Sequence, residues 1–122
     1  MSRYFKAEEF RKCVPACEIT DMSPAFLAKL DRVRERAGIP LVLNCAYRTR
    51  QWDKAKGRTG TSAHCANPCV AVDIRCRTSA NRFKIVRAAI EEGIRRIGIA
   101  KTYVHLDDDP TKAQDVIWDY YD

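Results

Sequence analysis

The chain has 122 residues and a formal net charge of +6 at neutral pH. This length fits a single domain over residues 1–122, because dividing it would leave two cores too small to bury enough apolar surface. The 46% of hydrophobic and 31% of charged residues are ordinary for a globular protein, and no apolar run approaches the roughly 18 residues that cross a bilayer, so the sequence predicts no membrane span.

The positive charge suits attraction to an anionic polymer such as nucleic acid, cell wall or a membrane surface. The arginines are scattered, and no basic tract is interleaved with the aromatic residues that stack on bases, so we expect no nucleic-acid partner. The first twelve residues, MSRYFKAEEFRK, contain no apolar segment behind the basic residues and do not read as a secretory signal. We therefore expect synthesis in the cytoplasm, or a signal already removed.

The first long helix is predicted from Pro24 to about Ala37. Ser23 is placed to cap it, Pro24 occupies the first helical position, where a missing N–H costs nothing, and Gly38 ends it. Apolar residues recur at helical spacing and predict the buried face: Phe26, Leu27, Leu30, Val33 and Ala37.

A buried strand is predicted to begin at residues 41–43 and to continue toward Tyr47. Residues 48–61 are polar and show no periodicity, which predicts a long surface loop. Long loops in small domains often carry function, and this one ends just before His64. A second strand follows over Val70–Ile74, with Asp73 interrupting its apolar run.

A second helix is predicted from Ser79, as its cap, to about Glu92, with Gly93 as its stop. Its predicted inner face consists of Phe83, Val86, Ala89 and Ile90. Three further strands are predicted at 96–99, 103–106 and, as an edge strand, 116–118. Together these elements predict an α+β fold with a central antiparallel sheet and two main helices.

The chain has two histidines, and each lies near an aspartate. Burying Asp73 without a partner would be costly, so either a cation such as Arg48 or Arg75, or a metal ion, is expected beside it. With His64 and His105 it makes a set suited to catalytic zinc, which takes three protein ligands and a water. Such a metal activates the water and polarises a scissile carbonyl, while a carboxylate accepts the proton.

Three short motifs carry a family resemblance: Ser62-Ala63-His64, Ala71-Val72-Asp73 and His105-Leu106-Asp107. They resemble the S-x-H, A-x-D and H-x-D signature of the M15 zinc peptidases, which include D-alanyl-D-alanine carboxypeptidases and phage endolysins and share their fold with the hedgehog signalling domain. The resemblance extends over almost the whole chain, through Tyr4-Phe5, 8–10, 27–36, 46–48, 98–99 and 103–104.

The resemblance implies one zinc ion held by His64, Asp73 and His105. It also implies that Arg48 aligns the substrate by gripping a carboxylate and that Ser62 lines the same cleft. The implied substrate is the stem peptide of bacterial peptidoglycan, cut by a carboxypeptidase or endopeptidase that we expect to be a monomer. The lack of a signal suggests action on the cell wall after a phage-type release.

Asp107 has two roles open to it. It lies two residues past His105, on the same strand face, and is the candidate general base. Related peptidases place an acidic residue three positions before the last histidine, where this chain has Thr102. Asp107 could instead orient His105 through a hydrogen bond to its outer ring nitrogen.

The spacing from His64 to Asp73 is nine residues, two more than the family pattern has. The intervening segment contains Cys65 and Cys69, which could form a disulfide or join the metal. The chain has six cysteines, and the pairs Cys13/Cys17 and Cys65/Cys69 could be disulfides, a second structural zinc site or reduced thiols. The alternative function is therefore a cysteine-rich zinc-binding structural module of the same fold, without turnover.

Overall fold

The computed structural model describes residues 2–120, which form an α+β arrangement of one five-stranded sheet and four α-helices. The α+β class is thus confirmed. The helices are α1 (Ala7–Arg11), α2 (Pro24–Ala37), α3 (Arg50–Ala55) and α4 (Ser79–Glu91). The strands are β1 (Leu43–Cys45), β2 (Ala71–Arg75), β3 (Arg96–Ile99), β4 (Tyr103–Asp107) and β5 (Val116–Asp119). Single 3-10 turns lie at Ile19–Asp21 and Ala63–Cys65.

Helix α2 has the predicted bounds, cap and buried face. The Ser23 hydroxyl accepts a hydrogen bond from the Phe26 amide at 3.2 Å, and Pro24 is the first helical residue. Gly38 ends the helix with a φ of 71°, a left-handed conformation that glycine adopts without steric cost. Its five predicted core residues are all buried, so local sequence signals were sufficient here.

Helix α4 departs from the prediction in its cap and in part of its buried face. Thr78 is the cap, since its hydroxyl accepts from the Asn81 amide at 3.1 Å and the helix begins at Ser79. The side chains of Phe83 and Ile90 are 64% and 54% exposed, so their predicted burial is wrong. The buried stripe instead follows Ile85, Ala88 and Ala89, where α4 packs against α2 and β4.

The difference between the two faces of α4 has a measurable consequence. Ile85→Ala is expected to lower the free energy of unfolding by about 2–5 kcal/mol, because it leaves a cavity at a side chain that is 1% exposed. Phe83→Ala is the control on the same helix and is expected to change it by less than about 0.5 kcal/mol. Denaturant unfolding of both variants measures this; a larger loss for Phe83→Ala would show that the buried stripe is misplaced.

The strand order is β1-β2-β4-β3-β5. The pairs β1–β2, β2–β4 and β3–β4 are antiparallel, as expected, whereas β5 runs parallel to β3. The sheet is therefore mixed at this edge. After β4 the chain passes β3 to reach the edge of the sheet, and β5 then runs opposite to β4 and so in the same direction as β3. Side chains alternate between the two faces of a strand. One face contributes Val72, Ile74, Ile97, Val104 and Leu106 to the core shared with α2 and α4.

The predicted surface loop over 48–61 contains a helix that sequence periodicity did not indicate. Helix α3 begins after Thr49, whose hydroxyl accepts from the Trp52 amide at 3.1 Å. A helix of six residues is too short to show a periodic apolar stripe. Within residues 2–120, no helix has the length and apolar character needed to cross a bilayer.

Candidate metal centre

A row of paired residues crosses the face of the sheet opposite the helical core. Cys45 on β1 pairs with Asp73 on β2, and Asp73 pairs with His105 on β4. The row continues through Gly98 on β3 to Trp118 on β5. Directly paired residues project their side chains on the same face. The sheet register therefore brings Asp73 and His105 together, although 32 residues separate them.

His64 reaches this row from the 3-10 turn Ala63–Cys65 rather than from a strand. The Ser62 hydroxyl caps the turn by accepting from the His64 amide at 3.2 Å. The amide of Arg48, just after β1, donates to the His64 carbonyl at 3.0 Å and ties the turn to the sheet. The His64 side chain is consequently buried against the row, with 2% of the residue exposed.

Three donor atoms converge at this point. Asp73 Oδ1 lies 2.9 Å from His105 Nδ1 and 3.3 Å from His64 Nε2, and the two ring nitrogens are 3.2 Å apart. The structure thus brings the three predicted ligands together within direct contact of one another. Three such atoms can share one small cation.

In each histidine, one ring nitrogen points toward Asp73 and the other points away from it. We call these the inner and the outer nitrogen, and the hydrogen bond at the outer nitrogen restricts the role of the inner one. His64 Nδ1 lies 2.6 Å from the Ala46 carbonyl oxygen, which can only accept, so this nitrogen donates. His105 Nε2 lies 2.6 Å from Asp107 Oδ2, and the same carboxylate accepts from Arg96 Nε at 2.7 Å. Once each outer nitrogen carries its hydrogen, the inner nitrogens can face the Asp73 carboxylate either as lone pairs around a metal ion or as protonated donors to it. Such an arrangement requires a cation, either a proton or a metal ion.

Charge and burial act together on the pKa values of the cluster. Burial alone would raise the pKa of Asp73, but hydrogen bonds from His105 and His64 outweigh it and the net shift is downward. Burial would lower the pKa of His105, but its hydrogen bonds to Asp107 and Asp73 raise it overall. Burial would also raise the pKa of Asp107, but its hydrogen bond with His105 lowers this pKa overall. The carboxylates are thus held ionised and the site attracts positive charge.

The donor set fits zinc in both chemistry and spacing. Catalytic zinc binds two histidines and a carboxylate at roughly 2.0–2.2 Å, and tetrahedral angles then place neighbouring ligand atoms about 3.3 Å apart. The observed separations of 2.9, 3.2 and 3.3 Å lie within about 0.4 Å of that value. Both imidazoles also donate their outer N–H to an acceptor, as metal-binding histidines generally do. The residues present are therefore able to hold one zinc ion.

Cys45 is a further metal-binding candidate that sequence reasoning did not single out. One ligand atom each from Cys45, His64 and Asp73 lies within 4.8 Å of the others. The Cys45 sulfur is 3.8 Å from Nδ1 of His64, the nitrogen that faces the Ala46 carbonyl oxygen. Burial, with the Asp73 charge, raises the pKa of this thiol to about 12. Cys45 lies close to the other candidate ligands because it pairs with Asp73 across the sheet. Strand register of this kind cannot be read from the sequence.

All six cysteines are buried and unpaired in the structure. The Cys65 sulfur lies 4.0 Å from the Thr49 carbonyl oxygen, and the Cys69 sulfur lies 3.5 Å from the Ala71 carbonyl oxygen. Neither belongs to the group of potential metal ligands found in residues 2–120. The two extra residues between His64 and Asp73 are absorbed without a disulfide.

Arg48 and Ser62, the predicted substrate-binding residues, are in contact. Arg48 Nη2 donates to the Ser62 hydroxyl oxygen at 2.9 Å, and Arg48 Nη1 lies 3.7 Å from the Cys45 sulfur. Arg48 Nε forms an ion pair at 3.2 Å with Asp53, a buried residue on α3 that the sequence did not reveal. The structure thus places a cation at the border of the candidate metal-binding cluster.

Asp107 lies on the far side of the His105 ring from the three convergent atoms. It contacts the outer nitrogen Nε2, is 0% exposed, and also accepts from Arg96 and from the Asp109 amide at 2.9 Å. These contacts support the orienting role of Asp107 over the role of general base.

Comparison with known proteins agrees with this geometry. The family model described as Peptidase M15 matches residues 3–107, which include all the predicted site residues. No curated protein and no solved structure matches the chain. The match covers far more than half of the 122 residues. The chain therefore belongs to the peptidase M15 family.

Proposed function

We propose that this peptidase is a zinc-dependent domain over residues 1–122 that, as a monomer, hydrolyses peptide bonds in the stem peptides of bacterial peptidoglycan. Family membership identifies it as a peptidase. The observation that carries the zinc proposal is the convergence of His64 Nε2, Asp73 Oδ1 and His105 Nδ1 within 3.3 Å.

His64, Asp73 and His105 hold the zinc ion in this proposal. Zinc supplies Lewis acidity toward the scissile carbonyl and toward water. The Ala46 carbonyl and the Asp107 carboxylate fix the two imidazoles by accepting their outer N–H groups. Asp107 is thereby a positioning residue, and its charge strengthens the donor at His105.

Arg48 aligns the substrate. A guanidinium grips a carboxylate through two parallel hydrogen bonds, and this holds the peptide in one orientation relative to the metal. The hydroxyl of Ser62 fixes Arg48 Nη2 and also caps the turn that carries His64. One side chain therefore links the substrate-binding residue to a proposed metal ligand.

The second candidate function is a zinc-binding structural module without turnover. The observation that favours it is the Cys45–His64–Asp73 group, in which a cysteine replaces one histidine. Thiolate-containing sites are typical of structural zinc, which leaves no open coordination position.

The proposal predicts that the purified protein binds about one zinc ion per chain and releases stem-peptide fragments from purified peptidoglycan. A chelator is expected to stop this hydrolysis, and added zinc to restore it. Metal analysis and chromatography of the digest measure the two parts separately. Hydrolysis that survives complete zinc removal would contradict the zinc proposal. Bound zinc without any fragment release would favour the structural module.

A further inference from the structure

Asp53 is a buried charge next to Arg48. It is 0% exposed, and an isolated buried carboxylate is strongly destabilising unless a cation compensates it. Asp53 Oδ1 lies 3.2 Å from Arg48 Nε and 3.9 Å from Arg58 Nη1. The same carboxylate oxygen is therefore paired with two arginines.

Helix α3 fixes where this carboxylate lies. The helix starts directly after Thr49, whose carbonyl accepts from the Asp53 amide at 3.1 Å and whose hydroxyl caps the first turn. The Trp52 ring lies beside the cations, with its centroid 5.9 Å from Arg48 and 5.8 Å from Arg58. Cation–π contacts at these distances add modest attraction. The backbone of α3 thus fixes the position of Asp53 beside both arginines.

The contacts of Arg48 define the direction of its guanidinium. Nε lies 3.2 Å from Asp53 Oδ1 in an ion pair without a hydrogen bond, Nη2 donates to Ser62, and Nη1 approaches the Cys45 sulfur. A guanidinium has five N–H groups, more than Ser62, Cys45 and the nearby Cys65 thiol together occupy. In end-on binding the two terminal nitrogens together grip a carboxylate. Asp53 therefore lies beside Nε, the nitrogen that end-on binding of a carboxylate does not need.

The charges of the cluster also favour an anionic ligand. Arg48 and Asp53 alone would cancel, which would weaken attraction to a substrate carboxylate. Arg58, whose side chain is 50% exposed, adds a second positive charge beside the same Asp53 oxygen. The three groups together keep a net charge of +1.

We propose that Asp53 is a positioning residue that presents Arg48 to the substrate carboxylate, and that Arg58 is the second cation that keeps this cluster positive. The inference rests on the proposed function, since it assigns these residues to substrate binding by the same site. The cluster recognises peptides that end in a free carboxylate and discriminates against their C-terminal amides.

The test compares a stem pentapeptide with its C-terminal amide as substrates of the zinc-loaded protein. Asp53→Asn keeps the side-chain shape but removes the ion pair that orients Arg48. It is expected to raise the KM for the free acid about 10-fold or more, because a misdirected guanidinium loses its paired hydrogen bonds to the carboxylate and this loss outweighs the added positive charge of the cluster. The amide does not engage the cluster as an anion, so the preference for acid over amide falls. Equal losses on both substrates would indicate a general structural defect and would overturn the proposal.

Arg58 provides a variant that does not disturb the core. Arg58→Gln is expected to reduce the acid preference roughly 2–5-fold and more at low salt, while Arg58→Lys retains it, because the effect depends on exposed charge. An acid preference unchanged in Arg58→Gln and in Asp53→Asn would overturn the proposal.

The outcome also separates this proposal from the proposed function. If the wild-type protein hydrolyses neither peptide, both peptides become equilibrium ligands, and calorimetry measures their affinities directly. Tighter binding of the acid that is lost in Asp53→Asn would then support the positioning role although the peptidase proposal had failed. Equal binding of acid and amide by the wild-type protein would overturn the positioning role.

Discussion

Replacing His105 by alanine is expected to abolish zinc binding and peptide hydrolysis together. The variant removes Nδ1, one of the three convergent donors, and leaves only His64 and Asp73. Two protein ligands hold zinc far more weakly than the three of a catalytic site. Metal analysis after dialysis and the rate of stem-peptide hydrolysis measure the two losses independently.

Cys45→Ser is the matched control for this experiment. Both candidate ligand sets share His64 and Asp73, and they differ only in whether His105 or Cys45 completes them. If His64, Asp73 and His105 hold the zinc ion, Cys45→Ser is expected to keep its zinc and most of its turnover. Cobalt substituted for zinc in the wild-type protein should show no thiolate-to-metal charge-transfer band. The opposite pattern, with zinc retained in His105→Ala and lost in Cys45→Ser, would establish the thiolate set and favour the structural module.

Asp107→Asn is expected to weaken zinc binding by about 10–100-fold, the usual effect of removing a partner that orients a metal-binding histidine. One carboxylate oxygen faces His105 Nε2 and the other faces Arg96 Nε, so the new amide NH₂ must point at a donor. Arg96 is 9% exposed and loses its counter-charge. Breaking a buried ion pair in this way is expected to cost about 3–5 kcal/mol in the free energy of unfolding.

Asp108→Asn is the neighbouring control. Asp108 pairs with Lys29 at 2.8 Å, where both side chains are 25% exposed, so its loss is expected to cost no more than about 1 kcal/mol and to leave zinc affinity unchanged. Chelator competition and denaturant unfolding provide the two readouts. If Asp107→Asn binds zinc normally but has no turnover at saturating zinc, Asp107 acts as the general base and the orienting role is wrong.

Local patterns in the sequence were sufficient for several parts of the fold. Helix α2 follows from a serine cap, a proline at the first position, a helical apolar stripe and a terminal glycine, which all lie within sixteen consecutive residues, 23–38. The strand that begins at Arg96 has its predicted bounds, 96–99, for a similar reason. Helix α4 shows the limit of such reasoning, because its sequence contains more apolar residues than the packed face accommodates.

The sequence by itself determined the family, the α+β class, and the three residues whose donor atoms now meet, because short motifs and periodicities are properties of neighbouring residues. Tertiary structure alone decided that β5 runs parallel to β3, that Cys45 lies opposite Asp73, and that Asp53 forms an ion pair with Arg48. It also showed which ring nitrogen of His105 contacts Asp107. Strand register and side-chain direction arise from packing between distant segments, so no local pattern encodes them.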